Sequence, residues 1–504
     1  MLATIQSAAL NGLEAVPVSI EVSITSGLPA FHIVGLPDPA VREARQRVVS
    51  ALRESGFQFP LRRITANLAP AALRKEGAAF DLPIALAVLA ATGQLPAERA
   101  EGWLVVGELA LDGALRRVRG ALAYAECAAA SGAQTLIVPS SCAGEAALAD
   151  GVRVWGAPSL AAVCGWLRGG SLPERACAPI PEERAEPEGA ITLDDIAGQE
   201  LAKRALEAAA AGGHNVIFVG PPGAGKTLLA RALPGLLPRL SPGETHELTR
   251  IHSVAGLLRE GDGPLRDRPF RAPHASISAR ALLGGGPAVR PGEITLAHRG
   301  VLFLDELPEF RRDALEALRQ PLEDGAITIA RAGGAHRFPA EFQLVGACNR
   351  CPCGNQGRRR SVCRCSRAEV RRYRARLSGP LLDRVDIHLG IDPLRRRDLA
   401  KRPLGLEHAS AWARVARARA AQEARGPVRN ARLAPKELER FAALSAPARR
   451  QLLDAVERLG LSARGYHKAW RLGRTLADLD GVEAMTLEHV HEALVFRQAS
   501  MTSA

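Results

Sequence analysis

The chain has 504 residues, 47% hydrophobic and 24% charged, which excludes a disordered polypeptide and, at this length, a single hydrophobic core. Its 66 Lys+Arg against 53 Asp+Glu leave a net charge of +13. That balance favours polyanionic partners through long-range attraction and says nothing of fold; since an Arg- and Ala-rich composition also follows from a GC-rich genome, clustering of the basic residues is the stronger signal.

Residues 1–170 alternate short apolar strands, as at Val16 to Val22, with Ala-rich helices such as Ala121 to Ala130. Leu82 to Ala91 is the longest apolar stretch, far short of the roughly 20 residues a spanning helix needs. No basic leader with an apolar core opens the chain, so a cytoplasmic protein without a membrane partner is expected. Residues 171–190, with four prolines and five glutamates, read as an exposed linker. A second α/β unit spans 191–395: Asp194 or Asp195 is placed to cap a helix through Ala211, and a strand follows at Asn215 to Val219. The region 396–504 reads as helical, with apolar stripes at Leu452, Leu453, Val456 and Leu459 and at Ala469, Trp470, Gly473, Leu476 and Ala477.

Gly220-Pro221-Pro222-Gly223-Ala224-Gly225-Lys226-Thr227 follows the apolar run Val216 to Val219 and precedes a helical pattern, the strand–turn–helix context of a P-loop. Glycines let backbone N–H groups converge on phosphate oxygens at a helix N-terminus. Lys226 supplies a point charge for the β- and γ-phosphates, and the Thr227 hydroxyl is a Mg²⁺ ligand. Val301 to Leu304 reads as a buried strand ending in Asp305 and Glu306; a parallel strand beside the P-loop puts Asp305 near the metal and Glu306 near the attacking water. ATP and Mg²⁺ are the cofactors expected, with hydrolysis as the outcome.

Cys351, Cys353, Cys363 and Cys365 form two C-x-C pairs that suit tetrahedral Zn²⁺, although structural sites usually space ligands C-x₂₋₄-C; reduced cysteines in a loop are the alternative. Between Arg350 and Arg376 lie arginines 350, 358, 359, 360, 364, 367, 371, 372, 374 and 376 against the single acid Glu369. Such density reads as a phosphate-contacting surface that includes Arg358, Arg359 and Arg360, or else as a solvated face. Tyr373 is the segment's single aromatic, so base stacking is not indicated.

Ile196 to Glu200, the P-loop, the Asp305-Glu306 pair, Leu377-Ser-Gly-Pro-Leu-Leu-Asp-Arg384-Val-Asp386 and Ser462-Ala-Arg464-Gly-Tyr-His467 resemble the magnesium-chelatase-like AAA+ ATPases. Over essentially its whole length the chain is similar to the competence-protein ComM (YifB) family. The resemblance implies that Asn349, after the strand Phe342 to Ala347, is sensor 1, that Arg384 is an arginine finger reaching a neighbouring subunit, and that Arg464 in a helical lid is sensor 2. A finger acting in trans demands an oligomer, and the resemblance implies a homo-oligomeric ring, a hexamer; a surface salt bridge is the ordinary fate of a lone arginine. Arg350 stands where a proline commonly follows the sensor asparagine, and family members that lack the cysteines place zinc outside the catalytic step. The family's hairpin insertions match Gly256 to Arg290 and Asp324 to Phe338. The second carries Arg331, His336 and Arg337, which would either line a DNA channel or form a subunit interface.

Gly107 to Gly120 and Gln134 to Pro139 are similar to the proteolytic domain of Lon proteases, a ribosomal S5-like α/β fold. Matched through Lys75-Glu-Gly77 and Gly120, Ala79 falls where the catalytic serine would sit and Leu122 where the lysine would, so acyl transfer has no mechanism. The expected architecture is therefore an α/β chain with a Lon-like domain, an AAA+ core on a parallel sheet and a helical lid. Its expected activity is ATP-driven DNA translocation promoting branch migration in natural transformation, on single-stranded or branched DNA and beside recombination proteins. A chelatase motor subunit and a nucleotide-switched scaffold are the alternatives; the first is disfavoured because that subunit lacks a Lon-like domain.

Overall fold

The structure, a computed structural model, describes residues 1–178, 191–286, 289–331, 334–356, 362–394 and 405–497. It opens with an antiparallel hairpin of β1 (Leu2–Asn11) and β2 (Glu14–Thr25), paired from Leu2↔Ser23 to Asn11↔Glu14. Gly12, at φ +70°, supplies the left-handed turn residue. Then follow β3 (Ala30–Val34), α1 (Pro39–Glu54), β4 (Arg63–Ala69), α2 (Asp81–Ala91), β5 (Trp103–Val105), the short β6 (Glu108–Leu109) and β7 (Leu115–Arg116), and α3 (Ala121–Ala130). β8 (Thr135–Pro139), α4 (Ser140–Ala146), β9 (Arg153–Ala157) and α5 (Leu160–Leu167) complete the region. Seven strands make one mixed sheet in the order β3-β4-β2-β1-β5-β8-β9. Period-2 alternation sends Val105, Ile137 and Trp155 into a core with α1, α2 and α5, and Leu104, Leu136 and Val154 into a core with α3 and α4. With both faces covered, β8 is buried along its whole length.

The second unit does not start its helix at Asp194 or Asp195. Asp195 caps a short 3₁₀ turn, accepting from Thr192 N at 2.7 Å, while Asp194 accepts from Glu407 N at 3.0 Å and so caps a helix of the C-terminal region across space. Gly198 and Gln199, at φ +58° and +60°, turn the chain, and α6 (Glu200–Gly212) begins only after them. β10 (Val216–Val219), α7 (Lys226–Leu236), α8 (Pro242–Ala255), β11 (Phe270–Arg271), α9 (Ala279–Leu283), β12 (Gly284–Gly285), β13 (Arg290–Pro291), α10 (Glu293–Leu296) and β14 (Val301–Leu304) come next. They are followed by α11 (Arg312–Ala317), α12 (Arg319–Asp324), β15 (Ala326–Arg331), β16 (Gly334–Pro339), β17 (Gln343–Cys348), α13 (Arg367–Arg374), α14 (Gly379–Leu382) and β18 (Ile387–Gly390). The sheet β11-β14-β17-β10-β18 is parallel throughout. Gly256 to Arg290 is not one hairpin: α9 and the two-residue strands β12 and β13 fall inside or at the end of it. Asp324 to Phe338 does contain a hairpin, β15 with β16, whose root buries Ile327 and Phe338.

The C-terminal region is helical: α15 (Glu407–Arg425), α16 (Pro435–Phe441), α17 (Ala446–Leu459), α18 (Ala463–Asp480) and α19 (Leu487–Val495). The α17 stripe is rotated from expectation: Ala448, Leu452 and Ala455 are its buried residues, and Leu453 is 51% exposed because it lies off that i, i+4, i+7 face. The α18 stripe is buried as expected. Among the described residues no helix is long and apolar enough to cross a membrane.

Candidate active site

β10 delivers the chain to Gly220, whose N–H donates to Cys348 O at 3.1 Å. A Cβ on Gly220 would stand 2.4 Å from Ile391 O, so only glycine fits there. Gly223 and Gly225 adopt φ +78° and +91°, and Gly225 caps α7. Lys226, the first residue of that helix and 8% exposed, donates to Gly220 O at 2.7 Å, Pro221 O at 2.9 Å and Asn349 Oδ1 at 3.2 Å. Thr227 Oγ1 donates to Asp305 Oδ2 at 3.1 Å. Lys226, Thr227, Asp305 and Asn349 therefore converge from three elements.

The route differs from the sequence reading in one respect. β14 does not lie beside β10; β17 is hydrogen-bonded between them. Asp305 still reaches Thr227 because it stands past the carboxyl end of β14, where α7 crosses over the sheet, the usual ligand crevice of an open parallel sheet. Glu306, next to it, is exposed and has φ +51°, a left-handed conformation rare outside glycine and held where surroundings over-determine it.

Sequence reasoning missed Gln199. Its Nε2 donates to Ala224 O at 3.3 Å and Asp392 O at 2.8 Å, tying the P-loop to the exit of β18. Its signal was the Ile196 to Glu200 motif, read there only as a family mark.

Arg384 and Arg464 do not join the P-loop cluster within this chain. Arg384 Nη2 lies 2.7 Å from Glu323 Oε1, with its Nε on Arg319 O at 3.1 Å and Nη1 on Pro380 O at 2.7 Å. Arg464 Nη2 lies 3.3 Å from the same Glu323 oxygen. Behind them Lys468, one turn along α18 from Arg464, donates to Arg384 O at 3.0 Å and pairs with Asp386 Oδ1 at 2.6 Å. Burial alone would raise the Asp386 carboxyl, but Lys468 and then His214 hold it well below the ordinary carboxylate range. Burial also lowers the Lys468 ammonium, which Asp386 opposes; at 2.6 Å both are read as charged.

Cys351, Cys353, Cys363 and Cys365 bring their Sγ atoms within 4.8 Å of one another, with pairs at 3.5, 3.6 and 3.7 Å. Those spacings match the roughly 3.8 Å edge of a tetrahedron with Zn–S bonds of about 2.3 Å. Backbone N–H donation from Asn355 is the first of several hydrogen bonds that lower the Cys353 thiol to about 6. The loop sits on the P-loop: a Cβ on Gly354 would meet Pro222 at 2.7 Å.

Among the basic candidates, Arg337 is exposed, whereas His336 is half-buried and its ring lies 3.1 Å from a Cβ built on Gly12 of the first hairpin. Arg331 is the last residue of β15, and its side chain lies outside the description; Arg358, Arg359 and Arg360 lie outside the described residues altogether. α13 exposes Arg367, Arg371 and Arg372, while Tyr373 is buried. In the N-terminal region Ala79 and Leu122 are both buried in one apolar cluster, with no nucleophile or base at either position. Lys75 is fully buried and bonded to Pro70 O, and Asp81 pairs with Arg47 at 2.6 Å.

A parallel sheet with a P-loop, an acid pair and a polar strand-end residue, followed by a helical region, defines an AAA+ fold of the magnesium-chelatase type. Family models described as magnesium chelatase, subunit ChlI, as subunit ChlI of Mg-chelatase and as the ChlI C-terminal region match residues 192–399, 20–142 and 406–497. The chain is 44% identical over 500 residues to competence protein ComM of Haemophilus influenzae, covering 98% of this chain and 97% of that one. It is 43% identical over 499 residues to protein YifB of Escherichia coli, with the same coverage. The magnesium-chelatase 38 kDa subunit of Cereibacter sphaeroides is 32% identical over 170 residues, 31% of this chain and 51% of that one. The chain belongs to the ComM/YifB family of magnesium-chelatase-like AAA+ proteins.

Proposed function

We propose that this chain is an ATP-driven DNA motor that assembles as a ring and promotes branch migration while incoming single-stranded DNA is integrated in natural transformation. The convergence of Lys226, Thr227, Asp305 and Asn349 carries the nucleotide half of this reading. Thr227 Oγ1 and Asp305 Oδ2, 3.1 Å apart, fit adjacent positions of an octahedral Mg²⁺ with oxygens at about 2.1 Å. When bound, ATP–Mg²⁺ supplies the phosphoryl group and the cation that neutralises its oxygens. Lys226 then holds the β- and γ-phosphates, Asn349 orients the attacking water and Glu306 accepts its proton. Arg384, from a neighbouring protomer, stabilises the charge spread over the transferring group.

The transformation half is supported by the Haemophilus relative's being a competence protein, and DNA contact by the exposed Arg337 on the β15–β16 hairpin and by Arg367, Arg371 and Arg372 on α13. A hexamer, recombination proteins as partners and a cytoplasmic location belong to the same proposal. Zn²⁺ held by the four cysteines would brace the loop over Pro222 and take no part in the chemistry. A chelatase motor is the second reading, favoured by the descriptions of the three family models. The two part on one assay: ATP turnover with and without single-stranded or forked DNA. Turnover raised several-fold by DNA supports the motor; turnover indifferent to DNA would remove it.

A further inference from the structure

Arg384, read as the finger that reaches the neighbour's nucleotide, and Arg464, read as sensor 2, share one carboxylate. Glu323 stands near the end of α12, and its Oε1 lies 2.7 Å from Arg384 Nη2 and 3.3 Å from Arg464 Nη2. Each comes from a different part of the fold: Arg384 from the segment before β18, Arg464 from the start of α18. Like charges held this close repel unless an anion lies between them. Arg384 is already fixed at its other nitrogens by Arg319 O and Pro380 O, and its side chain is 10% exposed. Arg464 is 59% exposed, and its one charged partner among the described residues is Glu323.

We propose that Glu323 is a positioning residue that holds Arg384 and Arg464 as one unit, so that both are presented together to the phosphates of the neighbouring protomer. The proposal rests on the reading of Arg384 as a finger acting in trans. A second anion, the neighbour's γ-phosphate, would lie beside the guanidinium groups, while Glu323 fixes their spacing. Without the carboxylate, Arg464 loses its anchor and Arg384 keeps only neutral carbonyl partners, so the pair enters the transition state misplaced. Because Glu323 acts through the two arginines and makes no bond of its own to the nucleotide in this proposal, ATP affinity is expected to be unaffected. Loss confined to kcat is the signature of a group that acts only in the transition state.

The test uses the full chain with saturating DNA and compares Glu323→Gln, Arg464→Ala, the double variant and Glu323→Asp, with Arg384→Ala as the check on the underlying reading. E323Q is expected to lower kcat about tenfold or more, with KM for ATP within about twofold and thermal midpoint and ring assembly retained. E323D, which keeps the carboxylate, recovers most of kcat. Because the residues act through one shared oxygen, E323Q/R464A is no slower than the worse single variant. Wild-type kcat in E323Q, or losses in E323Q and R464A that multiply in the double variant, would overturn the proposal. Should E323Q fail to fold, R464A decides: its exposed side chain can be removed without unfolding, and wild-type kcat in that variant overturns the proposal equally. Undiminished hydrolysis by Arg384→Ala would instead remove the trans-finger reading itself, whatever Glu323 does.

Discussion

Replacing Lys468 with methionine keeps the apolar stem of the side chain and removes the cation that sits between the helical region and the ATPase core. Asp386 is 2% exposed and Lys468 13%, at 2.6 Å. The carboxylate also accepts from Asn215 N at 2.9 Å, and His214 Nδ1 lies 3.9 Å away. With Lys468 gone, Asp386 stays buried with one backbone donor, a histidine and the guanidinium groups of Arg471 and Arg497, neither of which bonds its carboxylate as Lys468 does, so its charge is left poorly compensated. Breaking one side of such a pair costs about 3–5 kcal/mol, a large share of the 5–15 kcal/mol that holds a typical domain together. The loss should appear first in α18, whose Trp470 is buried and donates to Ala442 O at 2.6 Å. Amide hydrogen exchange along 463–480 in Lys468→Met should therefore accelerate before that of β10 or β17. Changing the pair together, Lys468→Met with Asp386→Asn, should restore much of the protection, because no lone charge remains. Exchange rates in α18 within a factor of two or three of wild type, roughly 0.5 kcal/mol, would refute the view that this ion pair docks the helical region.

His388 is buried with Nε2 on Leu382 O and Val385 O; burial first, and then Arg497, lower it to about 4. With an unfolded value near 6.5, the unfolded chain binds the extra proton between those limits, so stability is full above about 6.5 and lost as pH falls toward 4, by roughly 3 kcal/mol at most. The urea midpoint should fall from pH 7 to pH 5 in wild type and fall less in His388→Gln; equal falls would exclude His388 as the cause. Arg337→Ala should weaken DNA binding and flatten the plot of log affinity against log salt by about one phosphate contact, and an unchanged slope would take Arg337 off the DNA. Protein purified without chelator should carry about one Zn²⁺ per chain, and Cys351→Ser should lose it and raise KM for ATP through the loop packed on Pro222; metal-free wild-type protein would end the zinc proposal.

What was legible in the sequence was local. The P-loop is eight consecutive residues whose glycines announce the turn, and Asp305 and Glu306 close a strand that four apolar residues mark without ambiguity. The β15–β16 hairpin was readable from its turn glycines. Partners set by topology were not. Glu323 meets Arg384 and Arg464 from far along the chain, and Lys468 meets Asp386 across 82 positions, so no spacing rule reveals either. Asp194 looked like the cap of the next helix because capping is usually local, yet it serves α15, more than two hundred residues on. Leu453 was counted in an apolar stripe because hydrophobicity alone does not fix which helical face turns inward. The insertion of β17 between β10 and β14 is equally invisible in sequence, since strand order follows from crossovers and not from residue type.

In the proposed function, ATP turnover between protomers drives movement of DNA. Incubating the purified chain with a synthetic four-way junction, in parallel with Lys226→Ala, tests it most directly. Resolution of the junction into separated arms by wild type, dependent on ATP and Mg²⁺ and absent in Lys226→Ala, is the predicted result. Wild type that hydrolyses ATP yet leaves every branched substrate intact would contradict it.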